Sequence, residues 1–312
     1  MILITGGLGF IGTHTARALL DQGVACVLTR HRSLQVPGFL QDELGKQLFI
    51  EPLELTDPLS FREIGKRHNI KGIVHLAMAA PGSSDAINTV RAHTLSLLQV
   101  LQSAVDWGVS RVSIASAIGV YSGISETPPR EDMPLPMTAD NPFTTLKKCS
   151  ELISTFIAGR AGLEVVHLRI SGIWGPLHEA NSNLVIAPKL VHAAVRGGSP
   201  DFTGPHASPV LDAYDMCYVK DAARAIALLQ TAPKLNHSTY NVGCGRPVTN
   251  REFVSAIHRH LPDARIDCPA GLPLNLALDI TRIREDTGFV PEYDVERGVA
   301  EYIGWLRAGN DR

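Results

Sequence analysis

The glycines at positions 6, 9 and 12 have the spacing that binds a pyrophosphate. They stand in Thr5-Gly-Gly-Leu-Gly-Phe-Ile-Gly12, directly after the apolar run Ile2-Leu3-Ile4. Gly6 permits a backbone conformation closed to most residues, Gly9 lets the main chain approach a phosphate, and Gly12 lets a helix pack closely on a strand. A helix starting at this turn offers unpaired N–H groups and a partial positive charge to the phosphates. A second chemical feature follows at Thr29-Arg-His-Arg32. A dinucleotide fold ordinarily carries an acid here to hold a ribose 2′-hydroxyl. Arg30 and Arg32 suit a 2′-phosphate instead, because guanidinium and phosphate form charge-assisted hydrogen bonds. The expected cofactor is NADP, with NAD as the alternative.

These groups need elements to position them. Ile2–Ile4 reads as a buried strand and Thr13–Leu20 as a helix, so the glycines form a strand–turn–helix unit. Val24–Leu28, Leu48–Ile50, Lys71–Ala77, Val112–Ser116 and Val165–Ile170 read as further strands. Helical patterns at 59–69, 86–106 and 143–158 fall between them. This alternation predicts a parallel, doubly wound sheet, an α/β Rossmann fold with ligands at the carboxyl ends of its strands. Ala77 ends the fourth strand, and the small residues Ala79, Ala80, Pro81 and Gly82 just beyond it form a turn that can lie against a cofactor. After residue 170 the pattern loosens, with helices expected near 186–196, 221–229, 250–260 and 294–307 and a strand at 238–243. The predicted division is a dinucleotide-binding domain over 1–170, to which 210–245 partly return. A smaller substrate domain takes 171–209 and 246–312.

Composition narrows the function. The 312 residues are 45% hydrophobic and 19% charged with a net charge of −2, ordinary for a globular enzyme and unsuited to binding nucleic acid. No apolar run reaches the roughly 18 residues that cross a bilayer, and the chain opens on a strand with no room for a signal peptide. Five scattered cysteines without a C-x-x-C pair predict reduced thiols and a cytoplasmic protein. The histidines show no metal-ligand spacing: His258 and His260, two apart on a helix, point to different faces, so no metal is expected. Asp221 reads as a helix cap.

Six short stretches then occur in a telling order: Thr5–Gly12, His75-Leu-Ala77, Val120-Tyr121, Leu168-Arg169 with Trp174-Gly-Pro176, Tyr218-Val-Lys-Asp221, and Tyr240-Asn-Val-Gly243. In that order they resemble the extended short-chain dehydrogenases/reductases, the NAD-dependent epimerase/dehydratase group, over nearly the whole chain. The resemblance implies that Phe10, Ile11, Leu55, Leu76 and Ile173 line the cofactor with the glycines. It also implies a Tyr-x-x-x-Lys pair on the helix after strand five, preceded by a Ser or Thr. The lysine would hold the nicotinamide ribose and lower the tyrosine pKa, and the tyrosine would move a proton while hydride passes to or from the cofactor.

Here the matching tetrad is Phe143-Thr-Thr-Leu-Lys147, and the serine position falls on Ala117 with Ser116 one residue early. His93 replaces the usual helix asparagine, and Tyr214 falls near an arginine that contacts a sugar-nucleotide diphosphate in many members. Lys147 survives; the proton donor does not. Candidate stand-ins are Ser116, Tyr121, His93, Thr144 and Thr145, with Tyr121 and Ser116 put first. The expectation is an enzyme acting on a hydroxyl or keto carbon of a sugar-like or small polar substrate. That substrate would lie between 79–84, 117–121 and 171–183. The alternatives are a cofactor-binding but redox-inactive sensor or partner protein, and a non-redox lyase or isomerase. The resemblance further implies a homodimer through the helices at 86–106 and 143–158.

Overall fold

The four residues of β1 (Ile2–Thr5) are all buried, since this strand lies at the middle of the large sheet with neighbours on both edges. In the computed structural model, residues 1–31, 35–78, 85–138, 141–182, 185–202 and 210–312 are described. The chain continues through α1 (Phe10–Leu20), β2 (Cys26–Arg30), β3 (Leu48–Pro52), α2 (Pro58–Arg67), β4 (Gly72–His75), α3 (Ala86–Asp106) and β5 (Arg111–Ala117). Next come α4 (Pro142–Ala161), β6 (Glu164–Ile170), β7 (Gly172–Trp174), α5 (Ala187–Val195), β8 (Leu211–Tyr218), α6 (Val219–Thr231) and β9 (Thr239–Val242). The last elements are β10 (Pro247–Val248), α7 (Asn250–His260), β11 (Leu272–Leu276), α8 (Thr281–Thr287) and α9 (Val295–Arg307).

Among the described residues, seven strands form one parallel sheet in the order β3-β2-β1-β4-β5-β6-β9. Each crossover is helical or passes through the second unit, and helices cover both faces. The order reverses beside β1, so the crevice at its carboxyl end is the switch point where such sheets take ligands. A smaller sheet is built on β8, which pairs with β7 and β11 in parallel and with β10 antiparallel. Its core gathers Trp174, Leu190, Tyr214, Phe253 and Tyr302, separate from the two cores flanking the large sheet.

Local chemistry sets several element ends. Asp57, Asp85 and Asn141 each accept N–H groups at the first turns of α2, α3 and α4, and Pro58 and Pro142 begin two of those helices. Gly162 closes α4 in the left-handed conformation. Asp221 corrects an expectation. It lies within α6, and its carboxylate accepts the backbone N–H groups of Glu292 and Tyr293 and pairs with Arg224. It ties the approach to α9 onto α6 and caps nothing. The second strand also sits two residues later than its pattern implied, ending on Arg30.

Candidate active site

The glycine turn is held from both sides. Gly6 has φ +67°, and its N–H donates to Thr29 Oγ1 at 3.1 Å. The Gly9 N–H donates to Gly6 O at 2.9 Å, and Thr13 N–H to Gly9 O at 3.1 Å, which starts α1. A Cβ on Gly12 would collide with the Gly6 carbonyl, and one on Gly7 would stand 2.7 Å from Leu28 Cβ. Gly7, passed over in the sequence, is therefore as constrained as Gly12. Gly9 differs: a Cβ there would meet only Gly6 O, so this face is open. No side chain caps α1 at Gly9, which leaves its first N–H groups directed into the opening. A cavity of about 390 Å³ begins there, walled by Phe10, Val36, Leu177 and Trp305.

The other expected cofactor residues divide. Ala77 N–H donates to Thr5 Oγ1 at 3.3 Å, and Leu76 N–H to Thr5 O at 3.3 Å, bringing the β4 end against the turn. Phe10, Ile11 and Leu55 are half-buried, the first two against one core of the large sheet and Leu55 against the other. Ile173 is in the main core at 7% exposure, so it supports the site from beneath. Arg30, half-buried, ends β2 beside a cleft of about 480 Å³ that also touches His31, Glu54 and Asp57. Arg32 and Ala79 lie outside the described residues, as do 80–84 and 183.

Lys147 is placed by α4 under the carboxyl end of β5. Its Nζ donates to Ala115 O at 2.7 Å and lies 5.5 Å from the Phe143 ring centroid. Burial lowers its pKa to about 8, because the ammonium loses water with little to replace it. His93 and His75 share this neighbourhood. Both are pushed down, to about 4 and about 3, by burial and then by the Lys147 charge. His75 Nδ1 stands 2.7 Å from Thr5 Oγ1. Ser150 Oγ donates its single proton to Leu146 O, so the 2.7 Å contact with His93 Nε2 requires the imidazole N–H to donate to Ser150.

Ser116 and Tyr121 belong to a buried hydrogen-bonded network. Ser116 Oγ donates to Glu151 Oε1 at 2.5 Å, and Arg169 binds the same carboxylate through Nε at 3.0 Å and Nη2 at 2.8 Å. Burial raises the Glu151 pKa, but the Arg169 and Ser116 bonds outweigh it and hold the carboxyl below its usual range. The Tyr121 hydroxyl donates to Asn241 Oδ1 at 2.7 Å and accepts from Arg169 at 3.0 Å. Burial drives its pKa up to about 12. Asn241 in turn binds Pro129 O, Asp279 O and the Glu131 carboxylate. In both residues the polar atom is already paired within the buried interior. Glu151 was not singled out in the sequence, although it stands four residues after Lys147 and therefore on the same helix face.

Phe143 is 40% exposed, and Ala117 presents only a methyl group at the β5 end. Tyr214 is buried in the small-sheet core, and its ring would block any Cβ on Gly172 at 2.8 Å.

A strand–glycine turn–helix at the switch point of a parallel sheet, with a buried lysine under the fifth strand, defines a dinucleotide-dependent enzyme class. Residues 2–243 match the NAD dependent epimerase/dehydratase family, and the chain belongs to that family, within the extended short-chain dehydrogenases/reductases. A UDP-glucose 4-epimerase of Azospirillum brasilense is 26% identical over 98% of this chain and 92% of its own length. Two solved structures share the fold with a TM-score of 0.79, 21% identity and 99% of both chains covered. They are UDP-glucose 4-epimerases, from Thermotoga maritima with UDP-glucose and from Thermus thermophilus with NAD. No helix among the described residues is long and apolar enough to cross a membrane.

Proposed function

We propose that this chain is an NADP-preferring member of its family that reduces, oxidises or epimerises a hydroxyl or keto carbon on a sugar-like or small polar substrate. One observation carries the reading. The open face at Gly9, the bare N-terminus of α1 and the buried Lys147 all stand at one edge of the sheet, the edge where a nicotinamide dinucleotide and its substrate meet. The glycine cradle fits the group: the first N–H groups of α1 have no side-chain cap and no side chain fills the approach. Phe10 and Ile11 would hold the pyrophosphate by backbone N–H groups beside the open face of Gly9, and Ala77 and Lys147 would flank the nicotinamide half. When bound, the cofactor supplies hydride acceptance or delivery. The protein holds the substrate carbon in reach.

NADP is favoured because β2 ends on Arg30 with no acid in the ribose position. The proposal extends to a cytoplasmic homodimer, the first part supported by five unpaired thiols. The test is titration of NADPH and NADH into wild type and Arg30→Asp, with turnover assayed against UDP-glucose, dTDP-glucose and small keto sugars. Wild type should bind NADPH at least tenfold more tightly, and the aspartate variant should reverse that order. Equal affinities in wild type would remove the preference.

A second reading has its own observation. Phe143, Ala117 and the engaged Ser116 and Tyr121 remove the usual proton-moving groups, which suits a cofactor-binding protein that performs no redox step. Tight dinucleotide binding without turnover, relieved by Phe143→Tyr, would establish it.

A further inference from the structure

The question left by Phe143 is which group contacts the reacting oxygen of the substrate. Of the five candidate stand-ins for the missing phenol, four are already bonded. Ser116 donates to Glu151, Tyr121 to Asn241 and His93 to Ser150. Thr145 Oγ1 donates to Asn141 O at 3.0 Å, closing the first turn of α4. Thr144 is the fifth. Its backbone N–H is capped by Asn141, but among the described residues its hydroxyl has no partner.

The position of that hydroxyl is specific. It projects from α4 toward the turn after β5, where a Cβ on Gly119 would stand 2.7 Å from Thr144 Oγ1. A glycine is therefore needed at 119 for the hydroxyl to sit there. The turn is at the carboxyl end of β5, on the ligand-binding edge of the sheet. Thr144 is half-buried, so the hydroxyl is shielded yet reachable. It also precedes Lys147 by three residues, which puts both side chains on neighbouring parts of one helix face. A hydroxyl held at a ligand-bearing edge with its donor unused lacks only the ligand.

We propose that the Thr144 hydroxyl donates the hydrogen bond to the substrate's reacting oxygen, the hydroxyl or keto oxygen on the carbon that changes oxidation state. The inference rests on the enzyme reading above. Thr144 keeps its own proton throughout. Hydride moves between the substrate carbon and the dinucleotide, the proton of the reacting oxygen leaves to or returns from water, and Thr144 polarises that oxygen and fixes its direction. A threonine does not ionise in the range where a tyrosine phenol does, so this contact adds no phenol limb to the pH profile.

The test compares wild type with Thr144→Val, which keeps the shape, and Thr144→Ser, which keeps the hydroxyl. Each is assayed with saturating dinucleotide against UDP-glucose, dTDP-glucose and small keto sugars. Loss of one donor aimed at a developing charge lowers kcat by about a hundredfold or more. The valine variant should show that loss with KM within threefold, and the serine variant should recover to within about fivefold of wild type. Dinucleotide affinity and the thermal midpoint should match wild type in both variants, because the hydroxyl holds nothing in the free protein. Wild-type kcat in the valine variant would overturn the proposal and leave the enzyme reading standing. A parallel fall in thermal midpoint or dinucleotide affinity would also overturn it, by showing a structural role. A wild type that binds dinucleotide and converts no substrate would remove the enzyme reading and this proposal with it.

Discussion

Lys147 shows how one side chain carries a stability cost in exchange for a chemical position. Its folded pKa of about 8 lies below the unfolded 10.5, so at pH 7 the folded state holds a charged amine it would rather release. The shift corresponds to about 3 kcal/mol, offset by about 1 kcal/mol from the bond to Ala115 O. The sign follows from proton counting: between pH 8 and 10.5 the unfolded chain binds more protons, so this group's contribution to stability improves as pH rises. Lys147→Met should therefore be more stable than wild type by about 1–2 kcal/mol at pH 7, with the gap closing by pH 10.5, while dinucleotide binding weakens. Denaturant titrations at both pH values check this; a variant less stable at pH 7 would contradict it. The lysine itself was legible from its spacing to Phe143. Its company was not, because His75 and His93 reach it from β4 and α3 by tertiary packing that no local pattern announces.

At the scale of elements, Glu151 and Arg169 join α4 to β6, while Ser116 brings in β5 and Tyr121 and Asn241 extend the contact to β9. Both charges are buried, and a lone charge left in such a place is costly. Glu151→Ala should destabilise the protein by about 3–5 kcal/mol, measurable as a fall in urea midpoint at pH 7. A loss under 1 kcal/mol would mean that water enters and screens Arg169. The same network marks the limit of sequence reading. A glutamate on a helix ordinarily reads as solvated surface, and only the arginine on β6 reveals otherwise. The β1–turn–α1 unit was legible because it is local: an apolar run, spaced glycines and a helical pattern in twenty residues. The strands of the small sheet were not. β11 is largely exposed with no alternation, and β7 and β8 lie some forty residues apart in sequence yet pair side by side.

For the whole molecule, the outer faces of α3 and α4 are the conspicuous unmatched surface. Ile87, Val90, Leu95 and Leu98 on α3 and Leu152 and Phe156 on α4 are exposed, the last two at 71% and 61%. The two helices pack side by side, so these side chains form one apolar face suited to a second copy, with four helices at the junction. Light scattering at micromolar concentration should give twice the chain mass for wild type and the single mass for Leu152→Asp/Phe156→Asp. A wild-type monomer would dismiss the dimer. The charged double variant should retain its fold, since neither side chain belongs to a core.

The neighbour relation between α1 and α6 has a consequence for how the protein is made. The two helices lie against each other, with Ala16, Leu19 and Leu20 packed in the same core as Ala222, Ala225 and Ile226. α1 is thus covered by a helix that follows about two hundred residues later in the chain. At synthesis rates of about 5–20 residues per second, α1 waits roughly 10–40 s for its permanent neighbour. During that interval the nascent glycine turn has no finished scaffold, and its apolar helix face is open to chaperones. The glycine turn is made well before α6, the helix that completes its support.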